Sequence, residues 1–179
     1  ILFFFNIETL NYEKSENQIV SCLETIKMRK NENYLISSSN FDTFSNKVQK
    51  KIRMYVKKNK NIFLVNSLGR YFYDAMFHAS LMIGNSSSGI IEAPSMNLPV
   101  INIGERQKGR LKSKNIIDCG YKRKNLNKII DKILKNKKKV KIKNLYYNQN
   151  FKNLNKILGR IFLINKDKLV KKKFYDQIK

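Results

Sequence analysis

The sequence has few of the residues from which metal sites and disulfide frameworks are built. It contains one histidine, His78, and two cysteines, Cys22 and Cys119, which lie far apart in the chain. No combination of these residues has the spacing of a zinc site, so we expect no metal. Two distant cysteines favour free thiols in a cytoplasmic protein over a disulfide framework.

Long apolar segments are also missing. No run approaches the roughly 18 apolar residues that cross a membrane, and we expect no membrane contact. The opening "ILFFFNI" has no basic stretch before it, so it is not a secretory signal. The chain starts with Ile1 in a segment that already has strand character, and we therefore expect it to be the back part of a longer protein.

Acidic residues are scarce: 13 Asp and Glu stand against 37 Lys and Arg, for a net charge of +24. Such a charge would suit a nucleic-acid-binding module. However, lysines greatly outnumber arginines and are scattered along the chain, which favours a compositional bias over a dedicated binding face. Nucleic acid is therefore the less favoured partner, although the positive field attracts anionic ligands, nucleotides included.

Apolar strands alternate with amphipathic helices along the chain. One helix is predicted to start at Ser15 as its N-cap, and further helices follow the next strands. This alternation predicts a parallel sheet covered on both faces, an α/β, Rossmann-like fold with flanking helices. The predicted strands are "ILFFF", "NYLISS", "NIFLV", "LMIG", "PVINIG" and "NIIDC".

The segment "GNSSSG" at residues 84–89 stands between a predicted strand and a predicted helix. Ligands of parallel sheets bind outside the carboxyl ends of the strands, and a helix N-terminus with free N–H groups binds phosphate. Glu92 lies about one helical turn after Ser88, where a carboxylate would accept hydrogen bonds from a sugar diol. The alternative is a helix cap followed by a dipole-compatible glutamate. Arg106, in the loop after the next strand, is a candidate partner for a diphosphate, or else part of a basic surface loop.

The segment "IGNSSSGIIEAPSMNLPVINIGERQKGRLKSKNIIDC" resembles the C-terminal domain of hydrolysing UDP-N-acetylglucosamine 2-epimerases, and the likeness extends loosely over residues 1–158. That family has two Rossmann-like domains facing a cleft, the GT-B-like arrangement of one class of glycosyltransferases. The resemblance implies that residues 1–160 form the UDP-binding second domain, that residues 161–179 form a basic helical tail, and that the first domain is missing.

The resemblance also assigns roles to individual residues. Ser86 and Ser87 would donate to the distal phosphate of UDP, Glu92 would hold the ribose hydroxyls, and Arg106 would lie near the substrate. The remaining residues implied to contact the nucleotide are Ser67 and Phe72 against the uracil, Asn40 in "SNFD" and Asn6 after the first strand. In "SNFD", Ser39 replaces the proline of the family pattern. Asn6 replaces a histidine, and it can donate a hydrogen bond but cannot carry a proton at neutral pH.

The activity implied by the resemblance is elimination of UDP from UDP-N-acetylglucosamine, followed by addition of water to give N-acetylmannosamine for sialic- or legionaminic-type sugar synthesis. The family's catalytic carboxylates lie mainly on the missing domain, so no catalytic residue is assigned here, no cofactor is implied, and the chain alone is expected to be inactive. A glycosyltransferase of the same architecture and a basic nucleic-acid-binding module are the alternatives. The sequence leaves the oligomeric state open, a homo-oligomer included.

Overall fold

A computed structural model describes residues 1–8, 12–37, 46–136, 141–147 and 156–160. Strands and helices alternate along this part of the chain. The strands are β1 (Leu2–Phe4), β2 (Tyr34–Ser37), β3 (Ile62–Val65), β4 (Met82–Gly84), β5 (Val100–Ile103) and β6 (Ile116–Cys119). The helices are α1 (Tyr12–Met28), α2 (Asn46–Lys58), α3 (Phe72–His78), α4 (Ser88–Ile91) and α5 (Arg123–Lys135), with short 3-10 helices at Gly69–Tyr71 and Ala93–Met96.

The strands form one sheet in the order β3-β2-β1-β4-β5-β6, and every pairing is parallel. The chain builds the sheet outward from β1 on one side and then returns to add β4, β5 and β6 on the other. The order therefore reverses between β1 and β4. At such a switch point the loops at the carboxyl ends of the two strands diverge and leave a crevice. The predicted α/β, Rossmann-like fold is confirmed.

Alternate residues of β1 and of Phe5, which directly follows it, enter two separate hydrophobic cores, as the period of two in an extended chain requires. Phe3 and Phe5 pack in the core that α1, α2 and α5 cover. Leu2 and Phe4 pack in a second core that includes Met76 of α3. Helices therefore cover both faces of the sheet, which is why its strands are apolar on both sides.

Two helix boundaries differ from the sequence-based expectation. Helix α1 begins at Tyr12, so Ser15 lies inside its first turn and is not its N-cap. No Gly or Pro at residues 12–14 stops the helix from extending that far. Helix α4 has only four residues, because Pro94 lacks an N–H group and the chain continues as a 3-10 helix.

The structure separates into two compact units, Ile1–Tyr146 and Tyr147–Lys179. In the second unit, residues 156–160 are helical and exposed. The predicted tail 161–179 lies outside the described residues, and a domain ending at residue 160 stays a prediction. Among the helices that are described, none combines the length and apolar character needed to cross a membrane.

Candidate functional site

The turn that contains Ser86, Ser87 and Ser88, called the serine turn below, lies at the carboxyl edge of the sheet, at the switch point. Phe4 and Gly84, the last residues of β1 and β4, are paired in the sheet. The chains continue into Asn6 and Asn85, which stay together. The fully buried Asn85 accepts a hydrogen bond at Oδ1 from the N–H of Asn6 (2.6 Å) and donates from Nδ2 to the Asn6 carbonyl (2.8 Å). The structure thus places Asn6 beside the serine turn.

The three serines of the turn make different contacts. Ser86 Oγ and Ser88 Oγ share a hydrogen bond of 2.7 Å, and Ser86 Oγ also accepts a long bond of 3.4 Å from the Ser88 N–H. Ser87 holds the N-cap position of α4, but its side chain makes no capping hydrogen bond to this helix. The Ser87 hydroxyl is therefore not used as a helix cap, which weighs against explaining the whole cluster as one.

Helix α4 is one turn long, shorter than the sequence suggested. The partial charge at a helix N-terminus comes from aligned peptide dipoles, and a single turn supplies few of them. An anion at this turn would therefore depend mainly on hydroxyl groups and on nearby cations.

A cleft of ≈ 260 Å³ opens beside the turn and brings together three of the predicted site residues, Ser67, Phe72 and Ser86. The ring of Phe72 stacks on that of Phe4, with centroids 5.8 Å apart. Gly69 has a positive φ of 47° and donates its N–H to Ser67 Oγ (3.2 Å), which shapes the loop after β3. The remaining lining residues are Phe4, Ser37, Leu68 and Gly69.

Arg106 and Gln107 follow β5 and both reach the serine turn. Arg106 Nη1 and Gln107 Nε2 donate to the carbonyl oxygen of Asn85, at 3.0 and 2.8 Å. Gln107 is buried, whereas Arg106 is exposed. A guanidinium is thereby held next to the turn, where a phosphate would find a countercharge. Neither Asn85 nor Gln107 was predicted as a site residue, although Asn85 lies in the segment "GNSSSG" and Gln107 lies in "RQKGR".

Glu92 lies one turn beyond Ser88, and its N–H donates to the Ser88 carbonyl (3.1 Å). Its Oε2 is buried and has no hydrogen-bond partner among the described residues. A buried carboxylate oxygen without a donor is costly, and ligand hydroxyl groups would relieve that cost. Glu92 is not among the residues that line the cleft, and Asn40 lies outside the described residues.

A second cavity of ≈ 510 Å³ lies at the ends of β5 and β6, where no site was predicted; its lining includes Glu8, Asp118 and Tyr121. Burial raises the pKa of Asp118, but hydrogen bonds from Lys112 and Asn102 outweigh it and leave that pKa below its ordinary value. No group of His, Cys, Asp and Glu side chains in the described ranges could hold a metal ion.

The family model for UDP-N-acetylglucosamine 2-epimerase matches residues 4–156, which include nearly the whole sheet and the serine turn. The chain belongs to the UDP-N-acetylglucosamine 2-epimerase family. The resemblance seen in the sequence is therefore confirmed. The match to this family does not favour the two alternatives, a glycosyltransferase and a nucleic-acid-binding module.

Two curated relatives match the chain in sequence. The polysialic acid biosynthesis protein P7 of Escherichia coli is 36% identical over 115 residues, which are 64% of this chain and 29% of the relative. The GDP/UDP-N,N'-diacetylbacillosamine 2-epimerase (hydrolyzing) of Campylobacter jejuni is 38% identical over 112 residues, 62% of this chain and 29% of the relative. The matching region is thus less than a third of each relative's length.

Solved epimerase structures share the fold at low identity. The Methanocaldococcus jannaschii UDP-GlcNAc 2-epimerase, in complex with UDP-GlcNAc and UDP, superposes with a TM-score of 0.63 at 21% identity, covering 89% of this chain and 45% of that one. The Neisseria meningitidis enzyme bound to UDP-GlcNAc gives a TM-score of 0.60 at 19% identity, covering 92% and 44%. This chain therefore has the fold of about half of an epimerase.

Proposed function

We propose that this chain is the UDP-binding half of a hydrolysing UDP-N-acetylglucosamine 2-epimerase. The observation that supports this most is the cleft at the switch point, where Ser67, Phe72 and Ser86 come together from two loops of a chain of this family. Nucleotide sites of parallel sheets occur at this place in the fold.

The proposed arrangement of UDP follows the chemistry of the side chains. The uracil lies against Phe72 and Ser67, because an aromatic face and a hydroxyl suit a flat polar base. The diphosphate is bound by the hydroxyls of Ser86 and Ser87 and by the Arg106 guanidinium. The ribose hydroxyls donate to Glu92, whose Oε2 lacks a partner in the described part of the chain. The cleft is smaller than a typical ligand pocket of about 300–1,000 Å³, which fits a site completed by another domain.

The proposed reaction breaks the C1–O bond of the sugar nucleotide and removes the proton from C2. UDP departs with the bonding electrons and leaves a glycal, to which water adds with a hydroxyl at C1 and a proton at C2. Proton transfer of this kind needs groups of suitable pKa, and Asn6 cannot supply one. We assign this chain binding and orientation of UDP, and we propose that the acid–base groups come from the family's first domain. The chain alone would then be inactive.

The partners and the pathway remain part of the proposal. The substrate would be a UDP-sugar, and the likeness to a polysialic acid biosynthesis protein supports a role in sialic-type sugar synthesis. The chain would work together with a first domain, and residues 1–160 of this chain would serve as the nucleotide-binding domain of the enzyme.

The first prediction tests the ribose and phosphate contacts by titrating UDP into the folded 179-residue chain at moderate salt. Glu92→Gln keeps the size of the side chain but removes the charged acceptor, and we expect about a tenfold loss of UDP affinity. Ser87→Ala removes one hydroxyl donor, with an expected loss of about fivefold. Circular dichroism checks the fold of each variant.

The sign of the Glu92→Gln effect separates a built site from a positive surface. A surface that attracts any polyanion would bind UDP at least as well once a carboxylate is removed. Glu105→Gln is the matched control, because it removes the same charge from an exposed side chain (76% exposed) paired with Lys108. Equal or tighter binding by Glu92→Gln would rule out the proposed site. If binding proves specific, restoring an upstream domain and detecting free UDP and N-acetylmannosamine without an acceptor would test the reaction.

A further inference from the structure

We propose that Asn85 is the positioning residue of the proposed UDP site: it ties the ends of β1, β4 and β5 together and thereby sets the geometry of the serine turn. This inference rests on the proposed function and deepens it. It concerns a residue that need not touch the ligand, since Asn85 is fully buried.

The side chain of Asn85 extends the pairing of β1 and β4 past the end of the sheet. The last paired residues are Phe4 and Gly84, and the Asn85 N–H still donates to the Phe4 carbonyl (3.0 Å). Beyond that point the backbones diverge. There the Asn85 side-chain amide replaces the backbone pairing: it accepts a hydrogen bond from the Asn6 N–H (2.6 Å) and donates one to the Asn6 carbonyl (2.8 Å).

The backbone carbonyl group of Asn85 binds the loop that follows β5. It accepts hydrogen bonds from Arg106 and from the buried Gln107, at 3.0 and 2.8 Å. A carbonyl oxygen has two lone pairs, so these two donors use its full capacity. Arg106 is the cation proposed to face the diphosphate. Its position therefore depends on the same residue that fixes the start of the serine turn.

The chemistry explains why an asparagine stands here. The two bonds to Asn6 require one donor and one acceptor on the same side chain, which an amide provides. An ionised aspartate would keep the acceptor and lose the donor. It would also bring a buried negative charge next to the proposed phosphate position, at a cost to both folding and binding.

The test compares Asn85→Ala and Asn85→Asp with Asn115→Ala in the 179-residue chain. Asn115 is a matched control: it is also buried, but its Nδ2 donates to the Leu98 carbonyl (2.9 Å) at the opposite edge of the sheet. Two quantities are measured by NMR in the free protein: the hydrogen-exchange rate of the Asn6 amide and the amide chemical shifts of Ser86 and Ser87. Binding of UDP and of uridine is then titrated.

We expect Asn85→Ala to speed exchange of the Asn6 amide by about tenfold or more and to shift the serine amides. We expect UDP affinity to fall by about tenfold, because the phosphate contacts are misplaced. The loss of uridine affinity should be smaller, about threefold or less, because uridine has no phosphate and its uracil contacts, Ser67 and Phe72, are on another loop, which leaves only its ribose contact with Glu92 affected. Asn85→Asp should behave in the same direction, and it keeps the residue's size if the alanine variant does not fold. Asn115→Ala should lower stability without these changes.

The outcomes separate this inference from the proposed function. Unchanged serine amides in both Asn85 variants, or equal changes in Asn115→Ala, would overturn the positioning role. Equal losses for UDP and uridine would also overturn it, because they indicate general damage. If the unmodified chain binds no UDP while the Asn85 variants still alter Asn6 and the serine amides, the positioning role stands and the proposed function fails.

Discussion

Replacing Gly84 with alanine is expected to prevent stable folding of this chain. Gly84 ends β4 at the switch point and has a φ of +144°, a backbone conformation that residues with a Cβ rarely adopt. A Cβ built on Gly84 would lie 1.8 Å from the carbonyl oxygen of Phe4. The obstacle is backbone of the neighbouring strand, so no side-chain rotation relieves it. We expect a loss of about 4 kcal/mol or more in the free energy of unfolding.

The matched control for this prediction is Gly120→Ala. Gly120 follows β6 at the same edge of the sheet and is not among the glycines with positive φ. Within the described residues, and apart from its two chain neighbours, no atom lies within 4 Å of the position that its Cβ would take. The replacement should leave the free energy of unfolding unchanged or raise it by up to about 1 kcal/mol, because alanine restricts the unfolded chain. Urea unfolding followed by circular dichroism measures both variants. A Gly84→Ala protein as stable as Gly120→Ala would show that β1 and β4 are not packed as described.

The order of strands and helices could be predicted from the sequence because the physical pattern behind it is local. Runs such as "IFLV" and "VINI" are apolar and short, and helical spacing lies between them. All six predicted strands are present. The helix ends were less predictable. Ser15 indicated a helix start that lies inside α1, which begins at Tyr12. The shortness of α4 follows from Pro94, because a proline disfavours helical backbone in the residue before it.

The site could be predicted only in part, because its contacts join residues distant in sequence. Ser67, Phe72 and Ser86, which the resemblance assigned to the nucleotide, share a cleft, and their contacts with UDP stay a prediction. The links from Asn85 to Asn6 and from Gln107 to Asn85 depend on which strands are neighbours in the sheet. A turn containing one asparagine and three serines does not reveal which of them is buried. The structure shows that the asparagine is fully buried and that Ser86 and Ser87 are partly accessible.

Arg106→Leu is expected to have the largest effect on UDP affinity among the substitutions of exposed residues. The Arg106 guanidinium is held beside the serine turn by its bond to the Asn85 carbonyl (3.0 Å), so it is oriented before a ligand arrives. Charge-assisted hydrogen bonds contribute about 1.5–3 kcal/mol each, and we therefore expect a loss of about 30-fold. Arg106→Lys should recover only part of it, because an ammonium group does not reproduce the planar, two-donor geometry of guanidinium.

Arg110→Leu is the control that separates this contact from the charge of the whole chain. Arg110 lies in the same loop and is exposed, and its replacement removes the same single charge from a net +24. Long-range attraction falls almost equally in the two variants and fades in high salt, since the Debye length shrinks to about 3 Å at 1 M. The contribution that a fixed guanidinium in contact with the diphosphate makes to UDP affinity falls much less when salt is added. We therefore expect Arg110→Leu to change UDP affinity by less than about twofold at about 0.15 M salt, with the difference between the two variants persisting at about 0.5 M. Equal losses that vanish together at high salt would mean that UDP is attracted by the basic surface alone.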